Sequence, residues 1–427
     1  MLWQDRCIYL MNATDHDLTL SQAREHAYSI PLEHIDVSHW NLFRDDTLWP
    51  YFERLRREKP VHFHEHSKVG PFWSVTAYDL IKAIDMDHGS FSSEPTIGLD
   101  DLLPGESLPM FIAMDQPKHN EQRRAVAPVA APRNLASLEP TIRRRVIDIL
   151  EGLPVGETFN WVDRVSIELT TQMLATLFDF PFDERRKLTR WSDVATSPIK
   201  AGLVESHEQR LEELFECLSY FKTLRQARES SPPGADLLSM LAHDSATRNM
   251  PDMEFLGNLL LLIVGGNDTT RNSISGGVLA LNRFPDQYER LRLDPSIIPN
   301  MIAEIIRWQT PLAYMRRTAT RDVEVNGQQI REGDRVVMWY VSGNRDESIF
   351  EDADRLIIDR SNARQHLSFG FGIHRCMGNR VAELQLRVLW EEIGKRFHMI
   401  EVVGEPERSL SNLIRGYTKL PVQVHPR

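Results

Sequence analysis

One cysteine stands in a stretch whose residue types could hold a flat, bulky cofactor. The stretch is Phe369-Gly-Phe-Gly372-Ile-His374-Arg-Cys376-Met-Gly378, just ahead of a helix-like run from Asn379 to Arg396. Two glycines precede the cysteine and one follows, which lets backbone pass close to such a group. Amides at a helix start turn their positive ends toward the thiol and favour thiolate. A thiolate held against a flat cofactor is the chemistry of an axial haem ligand. The alternative for the cysteine taken alone is a structural residue buried after a Gly-rich turn.

A second chemical stretch is Gly265-Gly266-Asn267-Asp268-Thr269-Thr270, in the middle of a Leu/Ile-rich run from Asp252 to Phe284. Mid-helix glycines cost about 1 kcal/mol each relative to alanine, and Asn, Asp and Thr compete for backbone bonds. Six poor helix formers together imply either a break into two helices or a distortion where a ligand meets the backbone. Thr269 lies four residues after Gly265, within reach of its carbonyl, and Asp268 could relay protons. A third pattern is Glu304-Ile-Ile-Arg307. Its spacing puts acid and base on one helix face, where the default is a weak surface pair.

The cysteine stretch resembles the haem-binding loop of the cytochrome P-450 superfamily, F-G-x-G-x-H-x-C-x-G. The other two patterns resemble that family's oxygen-binding groove and its E-x-x-R pair, in the expected chain order. The likeness runs from about Ile35 to the C-terminus. Within the superfamily it is greatest to the soluble bacterial alkane and fatty-acid terminal hydroxylases. It is carried by Gly70-Pro-Phe-Trp-Ser-Val75, Met110-Phe-Ile-Ala-Met-Asp115, Leu174–Phe180, Leu260–Asn272, Glu304–Arg317, Val336–Tyr340 and Ser411–Tyr417. Asn267, before the acid, departs from the family pattern.

The resemblance implies a single P-450 domain over 31–427, mainly α with small β-sheets (α+β), after an N-terminal lead over 1–30. It implies haem b ligated by Cys376 and flanked by Gly265 and Phe369. Asp268 and Thr269 would govern proton delivery to dioxygen. His119, Arg123, Arg317 and His374 would meet the haem propionates, as cations and donors suit carboxylates. Glu304 and Arg307 would form a buried pair joined by Arg360. The substrate cavity would be shaped by Leu261, Leu262 and Val264, by Leu312 and Ala313, by Leu413 and Ile414, and by a lid bearing Leu99, Leu103 and Met110. Such an apolar tunnel suits an alkane or fatty acid, whose binding comes from burial at about 0.8 kcal/mol per CH₂. The implied reaction inserts one oxygen atom of O₂ at the chain's terminal methyl. Electrons would pass from NAD(P)H through a ferredoxin reductase and a 2Fe-2S ferredoxin, steered by Arg123, Arg124, Arg133, Arg364 and Arg375. The alternatives are a monooxygenase of small cyclic or terpenoid substrates, a peroxide-driven peroxygenase, and a haem-based sensor or carrier.

Local patterning predicts the helices and strands around these groups. Helices are predicted over Leu48–Glu58, Asp79–Asp85, much of Asp115–Phe284, Ser296–Gln309 and Asn379–Arg396. Strands are predicted over Val61–His66, Phe72–Thr76, Asp334–Ser342 and near Val422, with a tight hairpin at Asn326-Gly327. His62, His64 and His66 alternate along one strand face, either a zinc site lacking a fourth ligand or, the expectation here, a solvated face. Ser90–Met110 is a long irregular stretch with apolar content, hence the lid. The chain has 427 residues, 41% hydrophobic, with net charge −11, which argues against general nucleic-acid binding. Three dispersed cysteines make no disulfide framework and fit a reducing cytoplasm. No apolar run has membrane-spanning length, and the N-terminus lacks a signal-peptide plan.

Overall fold

The computed structural model of the chain describes residues 18–100 and 108–427. The lead as far as residue 17, and Leu103 of the lid, lie outside them. Helix α1 (Leu20–Ser29) opens with a Thr19–Gln22 capping box, which satisfies two otherwise orphaned donors. Helix α2 (Trp49–Glu58) leads into strands β1 (Val61–His64) and β2 (Phe72–Val75), paired antiparallel with Val61 opposite Val75. Then come α3 (Tyr78–Met86), β3 (Phe91–Ser92), α4 (Lys118–Val126), α5 (Pro132–Glu151), α6 (Glu168–Phe178), α7 (Arg186–Thr196) and α8 (His207–Glu229). The central helix is α9 (Asp252–Arg283), followed by α10 (Ile298–Gln309). Strands β4 (Met315–Ala319) and β5 (Arg335–Met338) close a five-stranded sheet in the order β1-β2-β5-β4-β3. Helix α11 (Asn379–Arg396) follows the cysteine loop, and β6 (Phe397–Val402) pairs with β7 (Pro421–Pro426). The architecture is mainly α with small sheets.

Helix α9 runs unbroken for 32 residues, so the poor helix formers do not divide it. Its glycines admit neighbours: a Cβ at Gly266 would lie 2.7 Å from Leu174 of α6, and one at Gly277 3.0 Å from Ile305 of α10. The propensity lost locally is recovered as packing on both sides. The helix ends before Phe284-Pro285, where the proline disfavours helical geometry in the residue ahead of it. The predicted strand Asp334–Ser342 is shorter than its apolar pattern suggests. It stops at Met338, and Tyr340–Gly343 turns into a short helix beneath α3. The hairpin turns on Asn326 and Gly327, both at positive φ.

The histidine face is a correction. His62 and His64 are each 2% exposed, their rings 4.6 Å apart. His64 bonds Ser74 Oγ at 2.7 Å and stacks on Phe72. Only His66, beyond the strand end, is exposed. Among the described residues no cluster of histidine, cysteine or acid could hold a metal ion. Burial, helped by the neighbouring His64 and Lys59, pulls His62 down to about 3, and burial alone, against the pull of Asp36, takes His64 to about 4. Burial and nearby arginines pull His366 to about 3. A folded pKa below the unfolded one means that the unfolded chain takes up protons first as pH falls. Stability is therefore full above about pH 6.5 and is lost toward pH 4, each histidine contributing up to about 1.4 kcal/mol per pH unit. The thermal midpoint should fall between pH 7 and 5, and His64→Gln should reduce that fall. An unchanged pH dependence in the variant would refute the assignment.

Candidate active site

The central helix is buried from Glu254 to Leu260 and again from Asn272 to Leu281. Between them Leu261, Leu262, Val264, Gly265 and Thr269 are partly or fully open. A Cβ at Gly265 would meet nothing within 4 Å. Thr269 Oγ1 donates to the Gly265 carbonyl at 2.9 Å, so the hydroxyl stands on the same open face. Asp268 points elsewhere. It is fully buried, with Arg271 at 2.8 Å, Asn267 Nδ2 donating at 3.2 Å, and Thr196 of α7 at 3.4 Å. Desolvation raises its pKa to about 6 against the pull of Arg271. That places the carboxyl near the working pH of a proton relay. Asn267 accepts from Thr170 Oγ1 at 2.9 Å and so ties the acid to α6.

In the cysteine loop the Cys376 amide donates to the Phe369 carbonyl at 2.7 Å. The thiol is reachable from the surface yet ringed by protein, and that enclosure raises its pKa. The Gly378 and Asn379 amides at the start of α11, with Arg123 and Arg375, pull the other way. These are the oriented amides read from the sequence. The two preceding glycines serve a different neighbour from the one anticipated. Gly370 and Gly372 both have φ +64, and a Cβ on Gly372 would lie 2.5 Å from the Asp85 carbonyl. The loop passes close to the end of α3. Only Gly378 faces open space. Met377 joins the apolar cluster that contains Leu260 and Ile263 of α9.

His119 on α4 is fully buried, its ring 4.1 Å from that of His374. Nε2 of His119 and Nδ1 of His374 have no protein partner. The other His374 nitrogen bonds Ser93 Oγ at 2.8 Å, and Ser93 N–H donates to Asp115. Arg123 donates to the Arg375 carbonyl. Arg317 is committed to protein through both terminal nitrogens: Nη2 pairs with Asp85 at 2.8 Å, both nearly inaccessible, and Nη1 donates to the Arg316 carbonyl at 2.9 Å. Asp85 also accepts from Tyr340 Oη and the Phe371 amide. Sequence reasoning missed Asp85, Ser93 and Arg271. Asp85 did carry a signal, since a carboxylate in the last turn of a helix opposes the macrodipole and needs a partner.

Glu304 and Arg307 are both fully buried and bidentate, at 2.7 and 2.8 Å. Arg360 reaches the same carboxylate at 3.1 Å. Arg307 also donates to the carbonyls of Asn344, Ala353 and Arg355. Among the apolar residues, Leu312 bridges Ile414, and the Ala313 amide donates to Leu413. Met110 is half-buried. Leu99 and Ala313 pack into a core cluster with Tyr314 and Trp339.

Known proteins are similar to this chain over most of its length. Residues 296–423 match the Cytochrome P-450 family model. The linalool 8-monooxygenase of Pseudomonas putida is 34% identical over 408 residues, covering 93% of this chain and 100% of that protein. The chain belongs to the cytochrome P-450 family. The methyl-branched lipid omega-hydroxylase of Mycobacterium tuberculosis is 30% identical over 408 residues, covering 92% of this P-450 and 95% of that one. The solved CYP153D17 from a Sphingomonas species is 52% identical with a TM-score of 0.86, covering 91% and 98% of the two chains. This P-450 is a monooxygenase, and its family implies a haem-iron cofactor. The residues fit that group. A reachable thiol receives two amides, open space lies over Gly265 and Gly378, and the two orphaned imidazole nitrogens suit a carboxylate-bearing ring. Among the described residues no helix is long and apolar enough to cross a membrane.

Proposed function

We propose that this P-450 hydroxylates the terminal methyl of medium-chain alkanes or fatty acids, using electrons from NAD(P)H relayed by a ferredoxin reductase and a 2Fe-2S ferredoxin. The observation that carries this reading is the open stripe of α9. Leu261, Leu262 and Val264 are apolar, and the stripe then reaches a bare glycine and one hydroxyl, Gly265 and Thr269. An alkyl chain gains about 0.8 kcal/mol per buried CH₂ along such a wall. Terminal C–H bonds are stronger than internal ones, so the wall must present the chain end and shield its flank. The omega-hydroxylase among the relatives supports this reading.

Cys376 would hold the haem, with His119, His374 and Arg123 on its carboxylates. Bound there, a thiolate-ligated haem supplies the activation of dioxygen. The chain's own residues supply the proton. Thr269 Oγ1 holds one beside the Gly265 carbonyl, and Asp268, near pH 6 in its titration, restores it from the side of α7. In Thr269→Ala, product formed per NAD(P)H consumed should fall at least about fivefold while NAD(P)H consumption continues. Unchanged coupling would refute the role. A peroxygenase needs no such pair, so activity with peroxide alone should be small.

Arg124, Arg133, Arg375 and Arg380 are exposed around the cysteine loop, with Arg364 beside Glu383. An acidic ferredoxin would be steered to them despite the net charge of −11. Arg124→Glu should slow reduction several-fold at low salt and less at high salt; an unchanged rate at low salt argues against this face. The deciding experiment for the whole reading screens alkanes, fatty acids and small terpenoids by haem spectral shift and product analysis. Terminal alcohols from chain substrates support it. Turnover of linalool-like compounds alone, the chemistry named for one relative, would replace it.

A further inference from the structure

We propose that Gly257 and Asn258 form a seat on the central helix that fixes the foot of the lid, Leu108–Phe111, and so determines how far along a chain substrate oxidation occurs. The proposal rests on the reading of this P-450 as a chain hydroxylase. A Cβ at Gly257 would run into the Pro109 carbonyl, so the lid backbone lies directly on the helix only because residue 257 has no side chain. One residue on, Asn258 is fully buried, and its Oδ1 accepts the Phe111 amide at 2.9 Å. Its Nδ2 donates to Gln122 Oε1 at 3.0 Å. Gln122 belongs to α4, the helix carrying His119 and Arg123, and its amide group reaches Glu254 on α9. A single side chain thus joins lid, α4 and α9.

Its place on the helix gives this join a consequence. Asn258, Leu262, Gly265 and Thr269 follow the i, i+4, i+7, i+11 spacing of one helix face. At 1.5 Å rise per residue, the foot of the lid is pinned about 10 Å along the helix from Gly265. Leu108 and Met110, half-buried beside the pinned amide, then roof a space of defined height above the glycine. A chain too long for that space must fold or stay partly outside. Loosening the seat lets the chain slide and brings its flank to the position of its end. Neither residue touches the reacting atoms, so both are positioning residues.

The test uses holoprotein of Asn258→Ala and Gly257→Ala, each checked by its reduced carbon monoxide spectrum. Alanine is the better helix former at 257, so that variant keeps α9 while displacing the lid foot. If Asn258→Ala fails to accumulate, Gly257→Ala tests the same seat. Amide exchange at Phe111 should quicken at least about tenfold in either variant. The ratio of terminal to internal oxidation should fall at least about threefold on the substrate that the wild type turns over. Unchanged exchange at Phe111 overturns the seat. Faster exchange with an unchanged product ratio overturns its control of position. A wild type that oxidises only compact terpenoids overturns the chain-hydroxylase reading instead, while the exchange measurement still decides the seat.

Discussion

Cys376→Ser should abolish the thiolate-type carbon monoxide spectrum, and product formation should drop below detection. Serine is close to isosteric, and the contact that shapes the loop, the amide of residue 376 donating to Phe369 O, belongs to the backbone and survives. What is lost is the soft anion. The Gly378 and Asn379 amides and two arginines lower the thiol's pKa against the burial that raises it, and a free thiol, ionising at about 8.5, lies within reach of such groups. The same four groups cannot ionise an alcohol. The hard oxygen that remains cannot push electron density toward O–O cleavage. The variant should stay folded, so secondary structure and thermal midpoint serve as internal controls. A surviving thiolate-type spectrum would sink the assignment of Cys376 whatever the activity showed.

The second large effect is expected far from the reacting atoms. Glu304→Gln keeps the shape of the side chain and removes a charge shared by Arg307 and Arg360 in a site without solvent. Two guanidinium groups would then face an amide that offers one acceptor and presents N–H groups to them. Removing one partner of a buried pair costs about 3–5 kcal/mol, a large share of the roughly 5–15 kcal/mol that holds a domain together. The loss has a definite path. Glu304 also accepts the Ile357 amide, and Arg307 gathers the carbonyls of Asn344, Ala353 and Arg355. The segment from 344 to 360 that leads into the cysteine loop therefore depends on this carboxylate. Purified Glu304→Gln should carry little haem and melt many degrees lower. A variant with normal haem content and melting temperature would show that the cluster does not support the loop.

Much of the site was legible because its signals are local. Thr269 four residues from Gly265, Glu304 three from Arg307, and amides after Cys376 are relations within a turn or two of helix. Helical spacing alone brings such groups together. The hairpin at Asn326-Gly327 and the boundaries of α11 follow from the same short-range chemistry. The family resemblance extended this reach to Arg360, which no spacing could have tied to Glu304.

Long-range packing sets everything that depends on which face another element covers. Alternation put His62 and His64 on one side of β1, but whether that side met water depended on distant packing, and it is buried. Glycines 370 and 372 signalled a close approach, yet the neighbour is the end of α3. Gly265 and Gly266 are adjacent and identical in type. One opens onto space and the other admits Leu174, since a 100° step around a helix separates pocket wall from core. Asp268 and Thr269 part for the same reason, the acid into a buried network with Arg271 and the alcohol onto the open face. The residues of each turn carry its chemistry. Only the long-range packing determined which way each turn looks.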